Sequence, residues 1–490
     1  MPRLLAWILF IACACRAPAQ VDQRPNILFL FADDLRRDAV AAFGQRPGAH
    51  TPNLDALAAR GAMLTQVSCM GAMQGAVCVP SRAMVMSGRL LTHVREDLRD
   101  TPTLPEVLRA RGYATFMAGK WHNGEAALRR AFPDARSVFR GGMCDHFHVP
   151  LCDVTAGEVE NVRAGDCHSS ELFADAAIAF LRDRAAAPAD EPFFAYVAFT
   201  APHDPRDPPP GALQQVLAGP RPPLPANFRG QHGLDLGPQT MTVRDENLLG
   251  WPRDPALVQR QLCEYYALVR DLDAQIGRVL QALADGGLAD RTLVVFAADH
   301  GLALGSHGLL GKQSLYEHSM GAPVILAGPG VPAGVRRPGL AYLLDLMPTM
   351  AHAAGAPLPD GIDGVDLGPL VRGEGAGREA LLTLYCDAQR ALRLGDDKLI
   401  RLPQIDRTLW FDLATDPDEL HDLAGDPARA AARLVLEEAA ARRAAARRRC
   451  PAVDRRGGEA RRARSHGQAL AARPVAAGVD PRRLLRRARP

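Results

Sequence analysis

Unbroken apolar runs alternate along this chain with segments of helical period. Residues 26–32, NILFLFA, carry one polar side chain and stop at Asp33 and Asp34, the pattern of a strand buried on both faces. PFFAYVAFTAPH runs the same way into His203, and RTLVVFAADH into Asp299 and His300. TLPEVLRARGYATFMAGKWH reads as a helix to Arg111, a stop at Gly112, a strand over residues 113–118, and then Lys120 and His122. Thr51-Pro52 opens a short helix that Gly61 closes. Over residues 261–284 the apolar positions Leu262, Tyr265, Tyr266, Val269, Leu272, Ile276, Val279 and Leu283 fall on one helix face. Strands alternating with helices predict an α/β fold with a doubly wound, mostly parallel sheet covered on both faces. Ligands of such sheets sit outside the carboxyl ends of the strands. Four strands that end in Asp, Lys or His place the candidate chemistry there, because charged groups are seldom buried unless paired or metal-bound.

Past residue 375 the pattern changes to short runs, ALLTLY, RALRLGDDKLIRL and TLWFDLATDPDE, separated by Gly and Asp turns. These predict antiparallel strands in a smaller subdomain over residues 376–427, after a catalytic part over residues 24–375. Residues 204–253, rich in Pro and Gly, read as a long irregular loop overhanging the site. At 47% hydrophobic and 23% charged residues, the composition excludes wholesale disorder and a membrane bundle. The net charge of +3 conceals an asymmetry, since residues 428–490 hold 18 Arg against five acidic residues and no aromatic. Such a tail buries too little apolar surface to fold by itself, and it does not argue for nucleic-acid binding. Residues 1–19 combine Arg3, an apolar run and Ala17-Pro18-Ala19, which predicts a signal peptide and a secreted or periplasmic protein. A lipoprotein anchor at Cys13 or Cys15 is the alternative, and no run is long enough to span a bilayer. Cys144, Cys152 and Cys167 lie close in sequence, where an oxidising compartment permits a disulfide, while the lack of Cys-x-x-Cys spacing argues against zinc. His146 and His148 read as a surface loop. Asp204, His307, Glu317 and His318 adjoin the candidate residues and are potential supports or substrate contacts.

One cysteine stands out by its neighbours. Cys78 opens CVPSR, followed by Ser87-Gly88-Arg89, and this stretch resembles the signature of the type I, formylglycine-dependent sulfatases of the alkaline phosphatase superfamily. DDLR at residues 33–36 and the Asp299-His300 pair are most similar to the iduronate-2-sulfatase and choline-sulfatase branches. The resemblance implies an alkaline-phosphatase-like fold with a smaller C-terminal antiparallel α+β subdomain. It also implies that a formylglycine-generating maturation enzyme converts Cys78 to Cα-formylglycine. Asp33, Asp34, Asp299, His300 and the converted Cys78 would hold one Ca2+, with His300 where many relatives carry Asn. Arg82 would hold the hydrated aldehyde, and Lys120 and Lys312 would neutralise the sulfate. His122 would serve as base and His203 as the acid for the leaving alcohol. The expected reaction is hydrolysis of a sulfate ester, that of a sulfated carbohydrate or another organic sulfate. Two other readings stay open: a phosphomonoester, phosphodiester or phosphonate ester hydrolase of the same superfamily, and a non-catalytic, calcium-dependent glycan-binding protein. The sugar, the position of its sulfate and the oligomeric state are not legible.

Overall fold

The four apolar runs that end in reactive side chains are neighbours in one sheet. A computed structural model describes residues 24–44, 46–188, 191–434 and 437–438; the predicted leader and nearly all of the basic tail lie outside them. The strands are β1 (Asn26–Ala32), β2 (Ala62–Ser68), β3 (Gly71–Ala72), β4 (Ala114–Lys120), β5 (Ala135–Phe139), β6 (Pro150–Thr155), β7 (Glu158–Ala164), β8 (Phe193–Ala198), β9 (Thr292–Ala298), β10 (Gly321–Ala327), β11 (Val335–Tyr342), β12 (Ala380–Tyr385), β13 (Gln389–Leu394), β14 (Asp397–Leu402) and β15 (Arg407–Asp412). The large sheet has the order β11-β2-β10-β9-β1-β8-β4-β5-β6-β7. From β9 to β5 all pairings are parallel, whereas β10 and β6 pair antiparallel with both their neighbours. This is the mixed, mostly parallel sheet expected of an alkaline-phosphatase-like fold. Because β9, β1, β8 and β4 run side by side in one direction, their carboxyl ends meet at one edge.

Side chains alternate along β1: Ile27, Phe29 and Phe31 pack into one core, and Leu28, Leu30 and Ala32 into another on the opposite face. The second core is closed by the helix Pro255–Asp285, whose predicted apolar stripe is buried throughout. That helix starts earlier than its apolar period suggests, since Asp254 caps it by accepting from the backbone N–H groups of Ala256 at 2.8 Å and Leu257 at 3.0 Å. Lys120 is the last residue of β4, not a residue beyond it. The stretch 204–253 is also more regular than its composition suggests. It holds the helix Pro210–Ala218 and the short turns Pro238–Met241 and Arg244–Leu248, and Val216 docks on Cys263 and Ala267 of the long helix. All seven cysteines among the described residues are free, so Cys144, Cys152 and Cys167 form no disulfide. Cys152 instead lies on β6, buried, and directs its Sγ to the carbonyl of Val138 at 3.6 Å. No helix among the described residues is long and apolar enough to cross a membrane.

A second sheet has the order β15-β14-β13-β12-β3. Its four C-terminal strands pair antiparallel, and β3, which lies just before Cys78, joins the edge in parallel. Gly71 makes that junction feasible: its φ is +103°, and an added Cβ would lie 1.9 Å from the carbonyl oxygen of Leu384. Gly71→Ala is therefore expected to pry the small sheet from the segment leading to Cys78. A loss of about 3 kcal/mol, read as a lower thermal midpoint, is the expected size for a forbidden conformation combined with a backbone clash.

Candidate active site

The turn after β1 sets the geometry. Asp34 adopts a left-handed backbone (φ 61°), uncommon for a non-glycine residue and typical of functional turns. Its N–H donates to Asp299 Oδ1 at 3.0 Å, and its carbonyl accepts from the hydroxyl of Tyr265 at 2.9 Å. Asp33, Asp34, Asp299 and His300 are all fully buried.

Cys78 and Arg82 come from the helix Cys78–Ser87, one turn apart on the same face. Ser81 Oγ fixes the helix to the carbonyl of Asp299 at 2.8 Å. Gly88 ends it in a left-handed conformation, its N–H bonding the carbonyl of Met84 at 2.8 Å. Ser87-Gly88-Arg89 is thus a helix stop. The carbonyl of Gly88 accepts from the N–H groups of Asp363 and Gly364, and Arg89 donates to the carbonyl of Asp360. Arg82 is buried over the ring of Phe31, with Nη1 3.2 Å from the hydroxyl of Tyr196. Its guanidinium lies between two carboxylates, 3.7 Å from Asp33 and 3.6 Å from Asp299.

Cys78 Sγ stands where the reactive oxygen of a converted residue would be, 3.3 Å from His122 Nδ1. Burial acts to raise the thiol's pKa, but the charges of Lys120 and Lys312 outweigh it and the net shift is downward. The site therefore favours an anion at this position, as does the start of a helix. Burial, reinforced by Lys120, lowers His122 to about 3, so it is neutral at physiological pH. Lys120 pairs with Asp33 and also donates to the carbonyl of Gly142 at 2.6 Å. Lys312 lies 2.8 Å from Asp34 Oδ1 and 3.1 Å from His203 Nε2. All the residues expected to act together are brought together here.

The donor set fits a hard cation. Asp33 Oδ1, Asp299 Oδ2 and His300 Nε2 are buried without a hydrogen-bond partner among the described residues. Ligand atoms of Asp33, Cys78, Asp299 and His300 lie within 4.8 Å of one another, as do those of Asp33, Asp34 and His203. Asp299 is driven well above the usual carboxylate range by burial and by the charge of Asp33. Crowded, desolvated carboxylates of this kind are stabilised by a divalent ion.

Sequence patterns missed several neighbours. His146 does lie in a loop, but it is buried there, 1% exposed. Its Nε2 donates to the carbonyl of His203 at 2.9 Å, and its Nδ1 meets Ser169 Oγ at 2.8 Å. His148 is exposed and pairs with Asp145. Tyr196, Arg244, Asp245 and Gln313 carry no sequence signal either, for Tyr196 reads as one more apolar strand position and the others lie in a short turn and a loop without a motif. Asp204 does adjoin His203, accepting at its carbonyl from Nδ1 at 2.6 Å. Glu317 and His318, by contrast, line a different cavity of 600 Å³ that shares no lining residue with the catalytic one. Glu317 binds Lys398 and Arg393 of the small sheet. His307 stacks on Tyr316 and accepts from Asn227 at 3.1 Å.

Burial lowers His307 to about 3 and His146 to about 4. An unfolded chain binds protons at these histidines near pH 6.5, which the folded chain refuses until the pH is far lower. Their contribution is complete above pH 6.5 and is lost as the pH falls toward 4, by about 1.4 kcal/mol per pH unit for each histidine. Denaturant midpoints measured between pH 7 and 5 should fall more steeply for the parent than for a His146→Gln, His307→Gln double variant.

Comparison with known proteins agrees with this geometry. The sulfatase family model matches residues 25–356, and that of the N-sulphoglucosamine sulphohydrolase C-terminal region matches residues 305–445. Arylsulfatase A of Homo sapiens is 31% identical over 417 residues, covering 76% of this chain and 72% of that protein. A choline-sulfatase of Rhizobium meliloti is 28% identical, covering 82% and 83%. A solved structure described as a complex with its substrate D-glucosamine-2-N,6-O-disulfate superposes with a TM-score of 0.69 at 23% identity, covering 86% of this chain and 97% of that one. The fold and the edge of its sheet define an alkaline-phosphatase-like hydrolase. Within that class, the chain belongs to the sulfatase family and is a sulfuric ester hydrolase. Its relatives generally use a formylglycine and a divalent metal, and the residues present here suit both.

Proposed function

We propose that the protein releases sulfate from sulfated carbohydrates, using Cys78 matured to Cα-formylglycine and a bound Ca2+ held by Asp33, Asp34, Asp299, His300 and the converted residue. The observation that carries this reading is the thiol of Cys78, 3.3 Å from a neutral His122 at the start of a helix and flanked by two buried lysines and three buried carboxylates. Once matured and hydrated, the residue supplies one hydroxyl that attacks sulfur and a second whose deprotonation lets the sulfate go. The cation, when bound, neutralises the carboxylates and polarises sulfate oxygens.

The remaining work falls to the chain's own side chains. Arg82 orients the reactive residue from one helical turn away. His122 Nδ1 takes a proton from the position of Sγ. Lys120 and Lys312, paired with Asp33 and Asp34 when no ion competes, are the cations for the sulfate. His203, with Lys312 at its Nε2, protonates the departing alcohol, and His146 keeps its backbone in place. The leader predicted at residues 1–19 supports a secreted or periplasmic location. Metal-loaded, matured protein should cleave sulfate esters of monosaccharides at least about tenfold more efficiently than a matched phosphonate ester, one decade being about 1.4 kcal/mol of transition-state preference. The opposite ranking would favour the phosphonate and phosphate ester reading.

A further inference from the structure

The catalytic cavity has a polar rim that the chemistry at sulfur does not use. Arg244, with its side chain 44% exposed, lies at the mouth between two carboxylates. Its Nη2 donates to Asp204 Oδ1 at 2.8 Å and to Asp245 Oδ1 at 2.7 Å, and its Nη1 meets Asp204 Oδ2. Asp245 is buried, and its Oδ2 accepts from Gln313 Nε2 at 2.9 Å. Gln313 is anchored in turn to the carbonyl of Gly75 at 2.8 Å, three residues before Cys78. Arg244, Asp245 and Gln313 line the same 380 Å³ cavity as Cys78, His122, His203 and Lys312.

The charge and composition of this rim restrict what can sit there. Arg244 is already paired with Asp204 and Asp245, so the rim, among the described residues, offers no unpaired cation to a second sulfate or a carboxylate next to the scissile group. A hydroxyl pair suits it: one hydroxyl oxygen accepts from the Nε–H of Arg244, whose Nη hydrogens are engaged by Asp204, Asp245 and Met143, while its neighbour donates to Asp245, whose carboxylate has acceptor positions to spare. None of the described residues lining the cavity is Phe, Tyr or Trp, so neither a trimethylammonium group nor an aryl ring finds an aromatic face. We propose that Arg244 and Asp245 select the substrate by reading adjacent hydroxyls of the sugar ring that bears the scissile sulfate, favouring a ring without a second anionic group. This rests on the carbohydrate reading above and adds the residues and the charge preference.

The experiment compares parent, Arg244→Met and Asp245→Asn, all matured and metal-loaded. The probes are monosulfated and disulfated forms of glucose, galactose and glucosamine, together with para-nitrophenyl sulfate, which has no ring hydroxyl. The parent is expected to prefer monosulfated over disulfated sugars. Each variant is expected to lower the ratio of sugar to aryl kcat/KM by about 10- to 100-fold, the worth of a charge-assisted hydrogen bond, mainly through KM and with an unaltered pH profile. Equal losses on sugar and aryl sulfates with a displaced pH profile would overturn the proposal and make Arg244 a positioning residue acting through Asp204 on His203. A parent that prefers disulfated sugars, or variants that keep the parent's ratio, would also overturn it while leaving the carbohydrate reading intact. Turnover of para-nitrophenyl sulfate with no turnover of any sugar sulfate would sink the carbohydrate reading, and the proposal with it.

Discussion

Cys78→Ser is expected to give an enzyme that transfers one sulfate per active site and then stops. Serine fits the position of Cys78 at the helix start without strain, and its hydroxyl faces the same neutral His122 and the same lysines. Attack on the first sulfate ester therefore has its base and its charge stabilisation. The sulfated serine has no second hydroxyl, so nothing on the residue can expel the sulfate. Release would require water to attack sulfur among buried carboxylates, a route slower by about three orders of magnitude, the scale set by losing a covalent catalytic step. Rapid-quench measurement should show a burst of alcohol equal to the enzyme concentration, followed by almost no turnover. The stalled protein should carry the mass of a sulfate on the Cys78→Ser peptide. Steady turnover at the parent rate would mean that one hydroxyl suffices.

The second large effect is expected from Asp33. It is fully buried, contacts both Lys120 and Arg82, and leaves Oδ1 without a hydrogen-bond partner. Burial acts to raise its pKa, but Lys120 and Arg82 overcome this and hold it well below the usual range, so it is an anion. Asp33→Asn keeps the shape and removes the charge. Cation affinity is expected to fall by at least about tenfold and turnover by about a thousandfold, because one change weakens both the metal site and the pairing of two buried cations. Metal content and kcat, measured on the same samples, check both. Chelation of the parent should abolish turnover as well, with Ca2+ restoring it better than Zn2+, as expected for a site rich in carboxylates. Retention of parent-level metal and turnover by Asp33→Asn would contradict the assignment.

What the sequence disclosed and what it hid follow from physics. Strands buried on both faces leave unmistakable apolar runs, so β1, β4, β8 and β9 were legible, and so was the gathering of their polar ends. The long helix was legible because a stripe at helical period survives over many turns. Its first turn was not, since the start is set by the Asp254 cap, outside the apolar period. Residues 204–253 misled because Pro and Gly suggest irregular chain, yet Pro at a first helical turn is what opens Pro210–Ala218 and Pro238–Met241. His146 reads as a surface position because nothing local signals burial; its partners, the carbonyl of His203 and Ser169 Oγ, come from other parts of the chain. Arg244 and Asp245 are hidden likewise, for they meet Asp204 and Gln313 only once the chain has folded. The small sheet's fifth strand, β3, is two residues long and carries no pattern at all. Motif residues were readable and the residues that support them were not.

The most direct measurement is mass spectrometry of the peptide containing Cys78, taken from the same preparation whose sulfate ester turnover is assayed, after expression with a formylglycine-generating enzyme. The expected result is the mass of the aldehyde or its hydrate, with activity proportional to the converted fraction. Full turnover from protein whose Cys78 is entirely unmodified thiol would contradict the account.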